Sequence, residues 1–198
     1  MELVLLGAIA AWTVLALALG AAATFSVLAF LKPYRLFLWL AAGSLAVALI
    51  AAATAPGPAP FGLSLLAATA AIVIAVFGGS PAAGTALDLA MGGSVAPGLH
   101  GGILVASRVD PDAPKTIVPE KREVLRGGLT IGVLERLATA GAIVAGYPEA
   151  LAIVVAVKGV GRFTELDAAE ARERFIIGTF ASLIWAAAAG LVAHLVLR

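Results

Sequence analysis

The sequence has no cysteine and few charged or aromatic residues, and these scarcities exclude several classes of function. Without cysteine there are no disulfides, thiolate metal sites or cysteine nucleophiles, and the redox compartment stays open. Charged residues make up 13% of the chain, against about 25% in soluble proteins. The formal net charge of +1 provides no global field to attract nucleic acid, so no nucleic-acid partner is expected.

Apolar residues are abundant instead. They form 62% of the 198 residues, and the mean hydropathy is +1.06. A soluble domain of this size could not hide so much apolar surface, because much of a small domain stays exposed. We therefore expect an all-α membrane protein, a bundle of about six transmembrane helices in contact with membrane lipid.

Six apolar runs approach the roughly 20 residues that a spanning helix needs. They cover residues 3–31, 36–54, 61–77, 127–147, 149–163 and 175–197. The fifth run is short, so we expect it to tilt, to thin the bilayer locally or to keep its cytoplasmic end buried in protein. The first run has no basic segment before it and is expected to be a retained span, not a cleaved signal.

The runs organise the chain as a single membrane domain with three parts. Residues 1–79 contain three N-terminal spans, residues 80–125 form a long loop, and residues 126–198 contain three C-terminal spans. In the six-span arrangement the lysines and arginines outside the spans gather on the side of the long loop, except Arg198. The positive-inside rule then places this loop in the cytoplasm and both termini outside the cytoplasmic membrane.

The long loop has two distinct segments. Residues 81–91 are predicted to form a short helix at the membrane interface, with Asp88 on its wet side. Residues 109–123 contain prolines and charges of both signs, which is typical of a solvated loop. Because such long irregular segments are unusual, 109–126 is predicted to be a mobile arm or a docking surface for a protein partner.

Three charged residues lie well inside predicted spans, away from the span ends: Glu135 and Arg136 in the fourth and Lys158 in the fifth. Each costs roughly 2.5–3.5 kcal/mol at a helix centre, so these residues are expected to find partners or a wet cavity. In a hairpin turning at residues 147–148, Glu135 lies opposite residue 160, between Lys158 and Arg162. These two cations are four residues apart and share a helix face, so they are predicted to clamp Glu135.

Arg136 points about 100° away from Glu135 around the fourth helix, since 3.6 residues make a turn. Glu173 or Glu170, near the start of the last span, is its predicted partner. One interpretation is that these pairs only fix the register of three helices. The other is that the surplus positive charge forms an anion site open to the cytoplasm, suited to a lipid headgroup. A proton-relay role for Glu135 is disfavoured, because two nearby cations stabilise its charged form.

Motifs for chemistry are scarce. There is no G-x-S-x-G nucleophile elbow, no D-x-x-D carboxylate pair and no phosphate-binding loop with its lysine. His100 is interpreted as an inert loop residue and His194 as an interfacial one. We therefore expect no cofactor or bound metal and favour a non-enzymatic protein that binds or moves a small anionic or lipidic ligand. A structural or assembly subunit is the alternative, with an enzyme acting on lipid headgroups third.

The charged residues lie in three short motifs: I-G-x-L-E-R at 131–136, K-x-x-x-R-F at 158–163 and E-x-F-x-I-G-T-x-x-S at 173–182. In order and spacing these resemble the C-terminal part of a family of uncharacterised bacterial integral membrane proteins, known as a domain of unknown function. The likeness covers residues 125–192, about a third of the chain. It implies that Glu135, Arg136, Lys158 and Arg162 belong to one module, and it implies no activity.

Overall fold

The computed structural model describes residues 2–32, 34–55, 57–92, 103–106, 121–124, 128–162 and 169–198. Within these ranges the chain forms six helices and one pair of short strands. Their bounds are α1 Glu2–Leu31, α2 Arg35–Thr54, α3 Phe61–Ala90, β1 Ile103–Ala106, β2 Lys121–Val124, α4 Gly128–Val144, α5 Ala150–Arg162 and α6 Ala169–Leu197. The prediction of an all-α protein of membrane type is confirmed.

Four of the helices, α1, α2, α3 and α6, are long and apolar enough to cross a membrane. With a rise of 1.5 Å per residue, the 30-residue helix α3 is about 45 Å long and exceeds a hydrocarbon core of roughly 30 Å. The 17 residues of α4 and the 13 of α5 give only about 26 Å and 20 Å. The C-terminal half therefore contains a short helical hairpin beside long helices.

The core is built from small side chains. Alanines dominate the buried cluster, around a few larger residues such as Leu15, Leu19, Ile74 and Val192. Small residues let helix backbones approach closely, which compensates for the weak hydrophobic drive between helices in lipid. Helix α3 packs most extensively against α6, and α1 packs against both α2 and α3.

Helix α3 continues beyond the predicted end of the third span. The sequence predicted a span ending at residue 77 and a separate interfacial helix over 81–91, but one helix runs through Pro81 to Ala90. Leu87 packs against Gly178 of α6, so the extension is supported by tertiary contact. Helix α3 ends where Gly92 takes a φ of 62°, a left-handed conformation typical of a helix C-terminus.

Two other boundaries differ from the prediction. Helix α6 begins at Ala169, before the predicted start of the last span at residue 175, because the segment A-E-A-R-E-R is composed of good helix formers. Strands β1 and β2 pair antiparallel, with Ile103 opposite Val124, so 121–123 is not irregular as predicted. Residues 109–120 of the predicted solvated segment lie outside the described residues, and so does His100.

Asp88 joins the extension of α3 to the start of α2. Arg35 Nη2 lies 3.0 Å from Asp88 Oδ2, and both side chains contact solvent, at 57% and 32% exposure. This bridge shows that the N-terminus of α2 and the C-terminus of α3 are neighbours at one end of the bundle.

We expect Asp88→Asn to lower the free energy of unfolding by only about 0.2–1 kcal/mol, because exposed ion pairs are weak. Thermal unfolding in detergent measures the change, and salt of roughly 1 M should remove most of it by screening. Glu149→Gln is the matched control, since Glu149 is exposed in the turn between α4 and α5. A loss far above this range, or one insensitive to salt, would contradict the assignment.

Candidate functional site

The turn between α4 and α5 fixes how these two helices face each other. Gly146 has a φ of 74°, its N–H donates to Ile143 O, and the Tyr147 N–H donates to Ala142 O. This is the Schellman arrangement, which ends a helix with a left-handed glycine. Pro148 follows directly, and the chain reverses into α5. The hairpin predicted from the sequence is therefore present.

The hairpin brings Glu135 of α4 against Lys158 of α5. Lys158 Nζ donates a hydrogen bond to Glu135 Oε2, and the two side chains are 16% and 10% exposed, respectively. Lys158 Nζ also lies 5.6 Å from the centre of the Phe175 ring, within the range of a cation–π interaction. The predicted pairing of these two charges is confirmed, and Phe175 connects the pair to α6.

The other predicted members of the cluster have different outcomes. Arg162 is the last residue of α5, and its side chain lies outside the described part, so the second half of the predicted clamp stays a prediction. Glu173 is exposed on α6 and does not meet Arg136. The predicted Arg136–Glu173 pair is wrong, because Arg136 is directed into the bundle between α3 and α6 instead. The Glu170 side chain is outside the described part.

Arg136 is buried in the bundle core with 3% of its surface exposed. Its Nη1 donates to Ser182 Oγ on α6 at 3.3 Å. A Cβ at Gly79 of α3 would lie within 3.0 Å of Arg136 Cδ, and one at Gly132 would lie 3.1 Å from Nη1. The guanidinium thus occupies a space that exists because two neighbouring positions lack side chains.

Two donors of Arg136 are left open. Among the residues that the structure describes, its Nε and Nη2 have no hydrogen-bond partner, and neither has the hydroxyl of Thr139. Thr139 is fully buried and lies one turn along α4 from Arg136. Buried donors are normally satisfied, so these three groups would need acceptors from outside the described residues.

A groove of about 430 Å³ runs between α4 and α5. Its apolar walls come from Ile131, Leu134 and Ala138 on α4 and from Ile153, Val154 and Val157 on α5. Glu135 and Lys158 line the same groove. The volume lies in the range of small-molecule sites, roughly 300–1,000 Å³. Apolar walls with a few polar groups are also typical of such sites.

Trp185 is a site neighbour that the sequence did not reveal. Its Nε1 donates to Ile74 O at 2.9 Å, and its indole fills the space over Gly78. The adjacent glycines Gly78 and Gly79 thus accept Trp185 and Arg136, respectively. Two adjacent glycines in the sequence indicate that another part of the chain packs closely against the backbone there. Only the structure shows that the side chains in contact are Trp185 and Arg136.

The acidic and histidine side chains are the possible metal ligands of this chain, because it has no cysteine. Across the described ranges, no group of three His, Cys, Asp or Glu side chains is placed to hold a metal ion. His194 lies against Gly146 and accepts a hydrogen bond from Arg198 Nε at 3.0 Å, so it is an end-of-helix contact.

The fold and these sites define an all-α membrane-protein bundle with an ion pair and a buried arginine in its C-terminal half. No protein-family model, curated protein or solved structure matches the chain. The resemblance to an uncharacterised bacterial membrane family therefore stays a prediction.

Proposed function

We propose that this chain binds, or translocates, an anionic amphiphile such as an acidic phospholipid in the groove between α4 and α5. The observation that carries the proposal is the groove itself: apolar walls with a lysine midway along one of them. An acyl chain suits the walls, and an anionic group suits the ammonium.

Access from lipid supports this proposal. No described side chain of α5 is buried, and Ile153, Val157 and Val160 are largely exposed. At about 20 Å, α5 is also shorter than a hydrocarbon core of roughly 30 Å. A lipid can therefore reach the groove sideways without a channel through the bundle.

The charge of the site supports an anionic ligand. Glu135 and Lys158 neutralise each other. Arg162 lies one turn beyond Lys158 along α5 and brings one further positive charge to this hairpin. A negatively charged headgroup would balance this positive charge, because an unpaired charge within a membrane has a high free energy.

The proposed orientation puts the charged end of the bundle in the cytoplasm and both termini outside. The Arg35–Asp88 bridge lies at the end of α3, and Leu87 of α3 contacts Gly178 in the first half of α6. The N-terminal arginines of α6 are therefore near the same end as Arg35. The positive-inside rule favours this end for the cytoplasmic side.

The second candidate is an assembly subunit that docks a protein through residues 109–126. The pairing of Ala106 with Lys121 supports this candidate, since it holds these two residues side by side at the end of the strand pair. In this case the Glu135–Lys158 pair only fixes helix register.

Native mass spectrometry of the protein purified from its own membrane tests the lipid proposal. We expect one acidic phospholipid per chain, and Ala138→Phe should displace it by filling the exposed groove wall. The matched control is Ala10→Phe, which adds the same volume to the groove of about 410 Å³ between α1 and α2. A folded Ala138→Phe variant that keeps its lipid would rule the groove out, and a co-purifying protein would favour the assembly subunit.

The charge requirement is tested by Glu135→Gln combined with Lys158→Met, which removes the ion pair without leaving either charge alone. Without the Lys158 ammonium, the acidic headgroup loses a charge-assisted hydrogen bond of about 1.5–3 kcal/mol. The affinity for acidic lipid should therefore fall roughly 10- to 100-fold. Binding of a zwitterionic lipid should change little. A translocating protein would also move fluorescent acidic lipid between the leaflets of proteoliposomes, and the same variant should slow this movement.

A further inference from the structure

A second site lies deeper in the bundle, where α3, α4 and α6 meet around Arg136. It is separate from the groove, since Glu135 and Arg136 are consecutive residues and point to different sides of α4. Ser182, the α6 partner of Arg136, lies seven residues inside the apolar run that starts at Phe175, or about 10 Å along the helix. An ionised arginine at this depth requires a physical explanation.

Hydrogen bonding within the described residues satisfies only part of the guanidinium. Nη1 has Ser182 Oγ, while Nε and Nη2 remain open. These two atoms form one planar edge, and both can donate hydrogen bonds to the same bound anion. The open hydroxyl of Thr139 lies one turn along the same helix. Three donor groups on one face of α4 are thus left without an acceptor among the described residues.

Arg136 also has no ion-pair partner within the described part of the chain. Its neighbouring carboxylate, Glu135, already pairs with Lys158. Ordered water could accept the open hydrogen bonds, but it carries no charge to offset a cation held in a low dielectric. A bound anion supplies both the acceptors and the charge.

Size restricts the anion. Arg136 is only 3% exposed, and Gly79 and Gly132 are in close contact with it, so a lipid headgroup with its chains has no access. We propose that the Nε and Nη2 edge of Arg136, with the Thr139 hydroxyl, binds a monatomic anion of the halide class. This inference does not depend on the lipid groove.

Thermal unfolding of the purified protein in a neutral detergent tests the proposal, with chloride compared to gluconate at equal ionic strength. Gluconate is too large for the site. Chloride at ten times its dissociation constant should raise the melting temperature by on the order of 3 °C. Arg35→Met, which removes an exposed arginine, should keep this increment, and Arg136→Met should lose it. Equal melting temperatures of the wild type in both salts would overturn the proposal.

Arg136→Met also removes a core contact, so a second variant and a direct measurement accompany it. Thr139→Val keeps the shape of the side chain but removes the hydroxyl, and it should shift the chloride midpoint to higher concentration several-fold. Bromide anomalous scattering from wild-type crystals should give a peak beside Arg136 Nε and Nη2. Absence of a peak there, or an unchanged chloride midpoint in Thr139→Val, would contradict the site as assigned.

Discussion

Lys158→Met is expected to lower the free energy of unfolding by about 3–5 kcal/mol, because it leaves the Glu135 carboxylate buried without its partner. Both side chains of the pair are mostly buried, and Lys158 also contacts the Phe175 ring. The variant therefore loses the ion pair and the cation–π contact together. Equilibrium unfolding in mixed detergent micelles, followed by circular dichroism, measures the change.

A double-mutant cycle separates the pair from its surroundings. Glu135→Gln should also destabilise, because the Lys158 ammonium then lies mostly buried without a carboxylate partner. The double variant Glu135→Gln with Lys158→Met should be more stable than the sum of the single changes predicts. Lys32→Met, an exposed lysine after α1, is the control and should change little. Additive effects across the cycle would show that the two side chains do not interact.

Gly78→Ala is expected to destabilise the bundle by about 2–3 kcal/mol, because the added methyl group overpacks the core. A Cβ at this position would lie within 3.0 Å of three atoms of the Trp185 indole. The indole is rigid, so it must move and strain or break its hydrogen bond to Ile74 O. Thermal unfolding measures the loss, and tryptophan emission should shift as Trp185 changes position.

Gly84→Ala is the matched control on the same helix. No atom lies within 4 Å of a Cβ built at Gly84, so its only effect should be a gain of up to about 1 kcal/mol in helix propensity. The two substitutions are chemically identical and differ only in what the methyl group meets. Equal stabilities of the two variants would contradict the packing of α6 on α3 described above.

The ion pair could be predicted from the sequence because only local geometry was needed. Glycine and proline at 146–148 define a tight turn, and equal counting along both arms places residue 135 near residue 158. The same reasoning could not place Arg136. The direction of Arg136 around α4 followed from helix periodicity. Its partner, however, depends on how α3 and α6 pack against α4, and these helices are far apart in the sequence.

Pro81 explains the other difference. Glycines and prolines are frequent after residue 77, and proline normally ends a helix in water, so the third span was predicted to end at residue 77. Within a bundle, neighbouring helices can compensate for the lost hydrogen bond, and α3 continues against α6. The order of the six apolar helices was predictable from the apolar runs, whereas their bounds and lengths depended on tertiary contact.

Photo-cross-linking with an acidic phospholipid that carries a diazirine in its acyl chain tests the central claim most directly. In proteoliposomes, the lipid-binding groove predicts labelled peptides from 131–138 and 153–161, well above the labelling of the α1–α2 groove around Val14 and Val47. Ala138→Phe should abolish this excess. Labelling spread evenly over the exposed apolar surface, or unchanged by Ala138→Phe, would contradict a lipid site between α4 and α5.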